Sequence, residues 1–143
     1  MIKDKRSQAY VKWECKYHVV ILPKYRRKTI YGSLRWRVGE ILRDLCRQKS
    51  IDLEEGTAMP DHIHMLLSVP PNYSIAMAIG YLKGKSAIRI HRHLLKTKGT
   101  LFGRSFWARG YFVSTVGIDE VQIQQYIKEQ EQLQKDQIEF DFD

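Results

Sequence analysis

The chain has 143 residues, 43% apolar and 28% charged, the size and balance of one folded domain rather than two domains or a disordered segment. Barrels of about 250 residues are excluded, and no stretch approaches the roughly 20 apolar residues of a membrane span. The net charge is +8 and unevenly spread: residues 1–110 carry 22 Lys/Arg against 8 Asp/Glu, whereas residues 111–143 carry 2 against 8. A basic body with an acidic C-terminal quarter points to nucleic acid or an anionic surface as partner.

The start, Met1-Ile2-Lys3-Asp4-Lys5-Arg6, lacks the apolar core of a signal peptide. Residues 11–22 alternate, with Val11, Trp13, Cys15, Tyr17, Val19 and Ile21 on one side and Lys12, Glu14, Lys16 and His18 on the other. That period predicts a strand with one buried and one open face. A basic loop follows, Pro23 to Lys28, holding Lys24, Arg26, Arg27 and Lys28. Leu34, Val38, Ile41, Leu42 and Leu45 then take the spacing of an amphipathic helix that runs to about Ser50. The two cysteines, Cys15 and Cys46, are too few for a disulfide scaffold or a four-cysteine zinc site, and a cytoplasmic protein with reduced thiols is expected.

Residues 51–59 and 62–69 read as two strands joined by the turn Pro60-Asp61, hence as a hairpin, ended by Pro70-Pro71. Ser74 is placed to cap a second helix with the apolar stripe Ile75, Ile79, Leu82, Ile90 and Leu94 and a basic edge of Lys85, Arg89, Arg92 and Lys96. Phe106 to Ser114 reads as a fourth strand, its aromatics Phe106, Trp107, Tyr111 and Phe112 mostly core. Asp119 and Gln122 stand in a capping-box relation at the head of a last helix, to about Lys135. The order strand, helix, strand, strand, helix, strand predicts an α+β, ferredoxin-like or RRM-like fold, an antiparallel sheet with two helices on one face plus the C-terminal helix. One domain is expected over 1–143: a core at about 10–115, the last helix at 119–135 and an acidic tail at 136–143. The second sheet face is expected to stay open, which suits single-stranded nucleic acid.

His62-Ile63-His64 opens the third strand. Residues i and i+2 share a side, so Ile63, Met65, Leu67 and Val69 turn to the core and both imidazoles to the open face, near enough to share a metal ion. Two histidines alone also fit a plain surface pair. Tyr126 and Gln130, four apart on the last helix, share a face with Gln122 and Gln134. A half-exposed tyrosine on a solvated helix would look the same. The functional reading is a phenol nucleophile beside an amide oxygen that completes a metal site.

Three runs together are specific: Lys16-Tyr17-His18-Val19-Val20 with Pro23-Lys24-Tyr25-Arg26-Arg27, then Met59 to Leu67, then Tyr126-Ile127-Lys128-Glu129-Gln130. In order and spacing the chain resembles the single-tyrosine transposases of the insertion sequence 200/605 family, whose HUH motif is His, hydrophobic, His. The resemblance implies cleavage and rejoining of single-stranded DNA at element ends marked by hairpins. It implies Tyr126 as nucleophile, and His62, His64 and Gln130 as ligands of a divalent metal, Mg2+ or Mn2+. It also implies a homodimer whose active sites are shared between subunits. Lys24, Arg26, Arg27, Lys28, Lys85, Arg89, Arg92 and Lys96 are candidate backbone contacts to the hairpin. His18, of the open-face parity, is a candidate DNA contact, and His91 and His93 are expected to face phosphate. Two alternatives remain: a non-catalytic RRM-like or hairpin-binding module, and a domesticated tyrosine transposase acting on repeated extragenic hairpins.

Overall fold

The structure, a computed structural model, describes residues 15–24, 29–98 and 106–142. Its elements are β1 (Lys16–Ile21), α1 (Gly32–Gln48), β2 (Asp52–Met59), β3 (His62–Ser68), α2 (Ile75–Lys98), β4 (Phe112–Ser114) and α3 (Glu120–Phe142). The four strands form one sheet in the order β2-β3-β1-β4, with every neighbouring pair antiparallel. This is the α+β arrangement that the element order predicts. Residues 11–14 of the first predicted strand, and Arg26, Arg27 and Lys28, lie outside the described residues.

The main core forms where two helices meet one sheet face. Val19 and Ile21 of β1 and Ile63, Met65 and Leu67 of β3 point to this side, as strand parity requires. Leu34, Val38, Ile41, Leu42 and Leu45 of α1 meet them, with Ile79, Leu82, Ile90 and Leu94 of α2. Ser74 caps α2, its hydroxyl accepting from the backbone N–H of Met77 at 3.0 Å. The indole N–H of Trp107 donates to the Ser86 hydroxyl at 2.8 Å inside the core, which satisfies the polar ends of both buried groups.

Two expectations are corrected. The fourth strand is shorter than the sequence suggests. Only Phe112–Ser114 pairs as a strand, while Trp107 makes an isolated bridge to Pro23. The intervening residues cross the sheet edge: Phe106 and Trp107 sit in the main core, and Ala108 sits on the other side.

The second sheet face is also not fully open. Val20 and Leu22 of the β1 segment, together with Ala108, pack under Ile123, Tyr126 and Ile127 of α3. The cause is legible in the residues. From Val19 to Leu22 the chain is apolar at four successive positions, the pattern of a strand buried on both sides. The capping box at the head of α3 is formed as predicted: Gln122 N–H donates to the Asp119 carboxylate at 2.8 Å, and Asp119 N–H donates to the Gln122 side-chain oxygen at 2.9 Å. From there α3 continues to Phe142, beyond the predicted Lys135.

Candidate active site

His62 and His64 start β3, the strand between β2 and β1, and their parity turns them away from the helical core. Their exposures differ. His62 is buried, 3% exposed, whereas His64 is half-buried. The Nδ1 atom of His62 lies 2.8 Å from a carboxylate oxygen of Asp61, the turn residue just before it. That contact fixes the ring, with Nδ1–H donating to the carboxylate, which can only accept.

His64 meets a different partner. Its Nε2 lies 3.3 Å from Nδ1 of His18, with the two ring centroids 5.5 Å apart. The register explains the meeting. Val20 of β1 sits directly opposite His64, so His18, two residues back, is its diagonal neighbour on the same face. Burial, reinforced by His18 and His62, holds the His64 imidazole below its ordinary range, against an opposing pull from Glu55 and Glu120. A neutral imidazole is the form that binds metal.

Tyr126 is carried to this face by α3. It is 9% exposed, and its ring centroid lies 5.5 Å from that of Phe112. It belongs to the small cluster that contains Val20. Directly paired residues share a sheet face, so Val20, and with it Tyr126, lies on the side that bears His64. Among the described residues no hydrogen bond or ring contact joins Tyr126 to His62 or His64. The phenol is pushed up to about 12, first by burial and then by Glu129. Gln130 follows one turn later and is half-buried.

These donors suit a divalent cation in kind. Two imidazoles face one side of the sheet, and one of them is oriented by a carboxylate. Among the described residues no three His, Cys, Asp or Glu side chains are gathered closely enough to hold a metal ion. A third protein donor would therefore be of another kind, such as the amide oxygen of Gln130.

The basic residues divide into groups. Lys24, Lys85, Arg92 and Lys96 are exposed. Arg89 is partly committed to structure, donating to the Asp44 carboxylate at 2.6 Å. Its hydrogen bond, with that of Arg47, holds the Asp44 carboxyl below the usual range. Arg89, Arg92 and Lys96 border a groove of about 690 Å³ with His93 and with Arg37 of α1. The sequence reading missed Arg37, because a lone arginine on a helix carries no signal until the neighbouring helix is placed. His91 and His93 are half-buried rather than plainly on the surface.

The fold matches a known class. A family model described as "Transposase IS200 like" matches residues 11–130. The chain belongs to the IS200-like transposases and is by that membership a DNA transposase. The transposase for insertion sequence element IS200 of Salmonella typhimurium is 47% identical over 127 residues, 89% of this chain and 84% of that one. The ISDra2 transposase TnpA of Deinococcus radiodurans is 34% identical over 130 residues, 90% of this chain and 92% of that one. The crystal structure of a transposase from Deinococcus radiodurans is similar at a TM-score of 0.72 and 32% identity, covering 91% of this chain and 98% of that one. A REP-associated tyrosine transposase bound to a REP hairpin is similar at a TM-score of 0.51 and 9% identity, covering 84% and 68%, a likeness of fold alone. Among the described residues no helix is long and apolar enough to cross a membrane.

Proposed function

We propose that this transposase cleaves and rejoins single-stranded DNA through a 5′-phosphotyrosine on Tyr126, with a divalent cation at His62, His64 and Gln130. The observation that supports this most is the docking of α3, which lays Tyr126 on the sheet face that carries the histidine pair. The Tyr126 oxygen attacks phosphorus, the new O–P bond forms, and the P–O3′ bond breaks to leave a free 3′-OH. The number of phosphoester bonds is unchanged, so the reverse attack by a 3′-OH rejoins DNA without ATP. A divalent cation held by the histidines supplies Lewis-acid stabilisation of charge on the phosphate oxygens. The mixed nitrogen and oxygen donors suit Mn2+ better than Mg2+.

The residues of the chain set the conditions of this chemistry. Burial and Glu129 push the Tyr126 phenol up to about 12, away from the phenolate form that attacks phosphorus. The basic groove bordered by Arg37, Arg89, Arg92 and Lys96 fits a phosphate backbone in charge and is our candidate surface for a DNA hairpin. Incubation with single-stranded DNA and Mn2+ is expected to give a covalent protein–DNA adduct that is lost in Tyr126→Phe and in the presence of chelator. An adduct that survives chelation would remove the metal from the account.

The same reading extends to a homodimer with shared active sites. In this structure α3 rests on its own chain through Ile123, Tyr126 and Ile127, each within a small apolar cluster. Each buried isoleucine is worth roughly 1.5–3 kcal/mol, little beside the entropy of ordering a helix. Val121 and Leu133 of α3 remain 77% and 60% exposed, apolar surface for a second docking site. A Cβ at Gly117 would meet no atom within 4 Å, so the connection before α3 is uncrowded. Mixing Tyr126→Phe with His62→Ala protein tests the exchange. Each is expected to be inactive alone, and across-subunit assembly restores one intact site per mixed dimer. If mixed dimers form and cleavage stays absent, sharing is wrong.

A further inference from the structure

We infer that Trp36, with Arg35 and Arg43, forms a second nucleic-acid contact, a seat on α1 where one base of the single strand flanking the hairpin stacks. The inference rests on the hairpin reading above and adds to it the path of the strand that leaves the hairpin.

The site begins with an aromatic side chain that the core does not use. Trp36 is 73% exposed, whereas Leu34, Val38, Ile41 and Leu42 of the same helix are buried. One exposed apolar residue is ordinary, but this one borders a groove. A space of about 240 Å³ lies between α1 and the edge strand β2, bordered by Arg35, Trp36, Gly39 and Arg43 on the helix and by Leu53 and Gly56 on the strand. Trp36, Gly39 and Arg43 follow each other at spacings of three and four, on one helix face. A Cβ at Gly39 would stand 3.4 Å from Nη1 of Arg43, so the guanidinium lies over bare backbone. Glycine inside a helix is destabilising, and here it keeps the groove open. Gly56 does the same from the other wall: it stands opposite the core residue Met65, and so faces the helices without a side chain.

The charge of the groove is positive. Arg35 and Arg43 are exposed, and among the described residues no ion pair engages them, unlike Arg47 and Arg89, which hold Asp44. The acids of β2 turn away. Glu55 stands opposite Leu66, on the parity of His64, and Glu54 pairs with Lys16 at 3.2 Å. An exposed indole flanked by two guanidinium groups offers a ring face to a base and fork-shaped donors to phosphate oxygens. A duplex presents no free base face along its length, so the ligand is single-stranded.

Position selects which single strand. The candidate hairpin groove touches α1 at Arg37, on the side of α2. The Trp36 groove lies on the side of β2, across a helix about 10–12 Å wide with its side chains. Beyond the edge strand β2, β3 carries His62 and His64 on the opposite sheet face. The route from the hairpin groove over α1 and around β2 to that face has the Trp36 seat on it.

The test is binding of labelled DNA to the full chain, measured by fluorescence anisotropy with three probes: a hairpin with a single-stranded flank, the same hairpin without the flank, and an unstructured single strand. Wild-type protein is compared with Trp36→Ala and Trp36→Phe. Trp36→Ala is expected to bind the flanked hairpin and the unstructured strand roughly 5- to 150-fold more weakly, the range for loss of one stacked base. Trp36→Phe is expected to recover most of this, since a phenyl ring still stacks, and the bare hairpin is expected to bind all three proteins alike. Arg35→Ala and Arg43→Ala are each expected to lower the salt slope for the unstructured strand by about 0.7. Equal affinity of wild type and Trp36→Ala for the flanked hairpin would overturn the inference. An equal loss on the bare hairpin would also overturn it, by placing Trp36 on the hairpin itself. So would self-association of the wild type that Trp36→Ala abolishes with DNA affinity unchanged, which gives the groove to a second copy of the chain. If the wild type binds the unstructured strand as tightly as the hairpin, and Trp36→Ala still weakens it, the hairpin reading falls and the stacking seat stands.

Discussion

Asp61 and His62 are adjacent in sequence and joined side chain to side chain, with Oδ1 of the carboxylate 2.8 Å from Nδ1 of the imidazole. The turn that closes the β2–β3 hairpin thus also orients the first histidine of the pair. Removing such a partner frees the ring and lowers the basicity of the remaining nitrogen. Asp61→Ala is expected to keep the fold and to weaken Mn2+ binding by about 10- to 100-fold, measured by calorimetry. Unchanged affinity would reduce the contact to a detail of the turn.

Lys83 ties the segment beside Tyr126 to α2. Its ammonium donates to the carbonyls of Ala108 at 2.7 Å and Gly110 at 2.8 Å. Gly110 has φ +80°, and a Cβ there would stand 3.8 Å from the Tyr126 hydroxyl. One lysine therefore braces the chain where it crosses the sheet edge and meets the tyrosine. Lys83→Met keeps the stem and removes the donors. It is expected to cost about 1–3 kcal/mol in urea denaturation. A midpoint and slope equal to wild type would show that water replaces the ammonium without loss.

The stability of the fold should fall in alkali before the ordinary loss of lysine charge. Burial pushes the Cys46 thiol up to about 12 from an ordinary 9.0, with Asp52 adding to it. Burial does the same for Tyr126, up to about 12 from 10.0. Between these values the unfolded chain releases protons that the folded chain keeps. Folding is then favoured below pH 9 and loses ground as pH rises towards 12. Each group contributes a slope approaching about 1.4 kcal/mol per pH unit. Urea midpoints at pH 8 to 11 are expected to decline, and Cys46→Ala is expected to decline less steeply from pH 9 to 10. Equal slopes would contradict the assignment to Cys46.

Much of this was legible in the residues, and the exceptions have physical causes. The alternation at Ile63, Met65, Leu67 and Val69 fixed which way His62 and His64 turn, and all four are buried as parity requires. The stripe of α1 and the caps at Ser74 and Asp119 were equally local and equally readable. The covering of the second face was harder to see. Val20 and Leu22 interrupt an otherwise clean alternation, and their meaning depends on a helix about 100 residues away in sequence. The pairing of His18 with His64 depends on strand register, which no single segment encodes. Partial commitment of Arg89 to Asp44 likewise needed α1 and α2 side by side.

The central claim is that Tyr126 is the nucleophile. Trapping the adduct with single-stranded DNA and Mn2+, then digesting with trypsin, leaves Tyr111 and Tyr126 on one peptide, residues 110–128. Fragmentation of that peptide by mass spectrometry separates them. The account predicts a nucleotide-phosphate mass on Tyr126 and none on Tyr111. A modification on Tyr111 or on any other tyrosine, or an adduct that forms equally well in Tyr126→Phe, would contradict it.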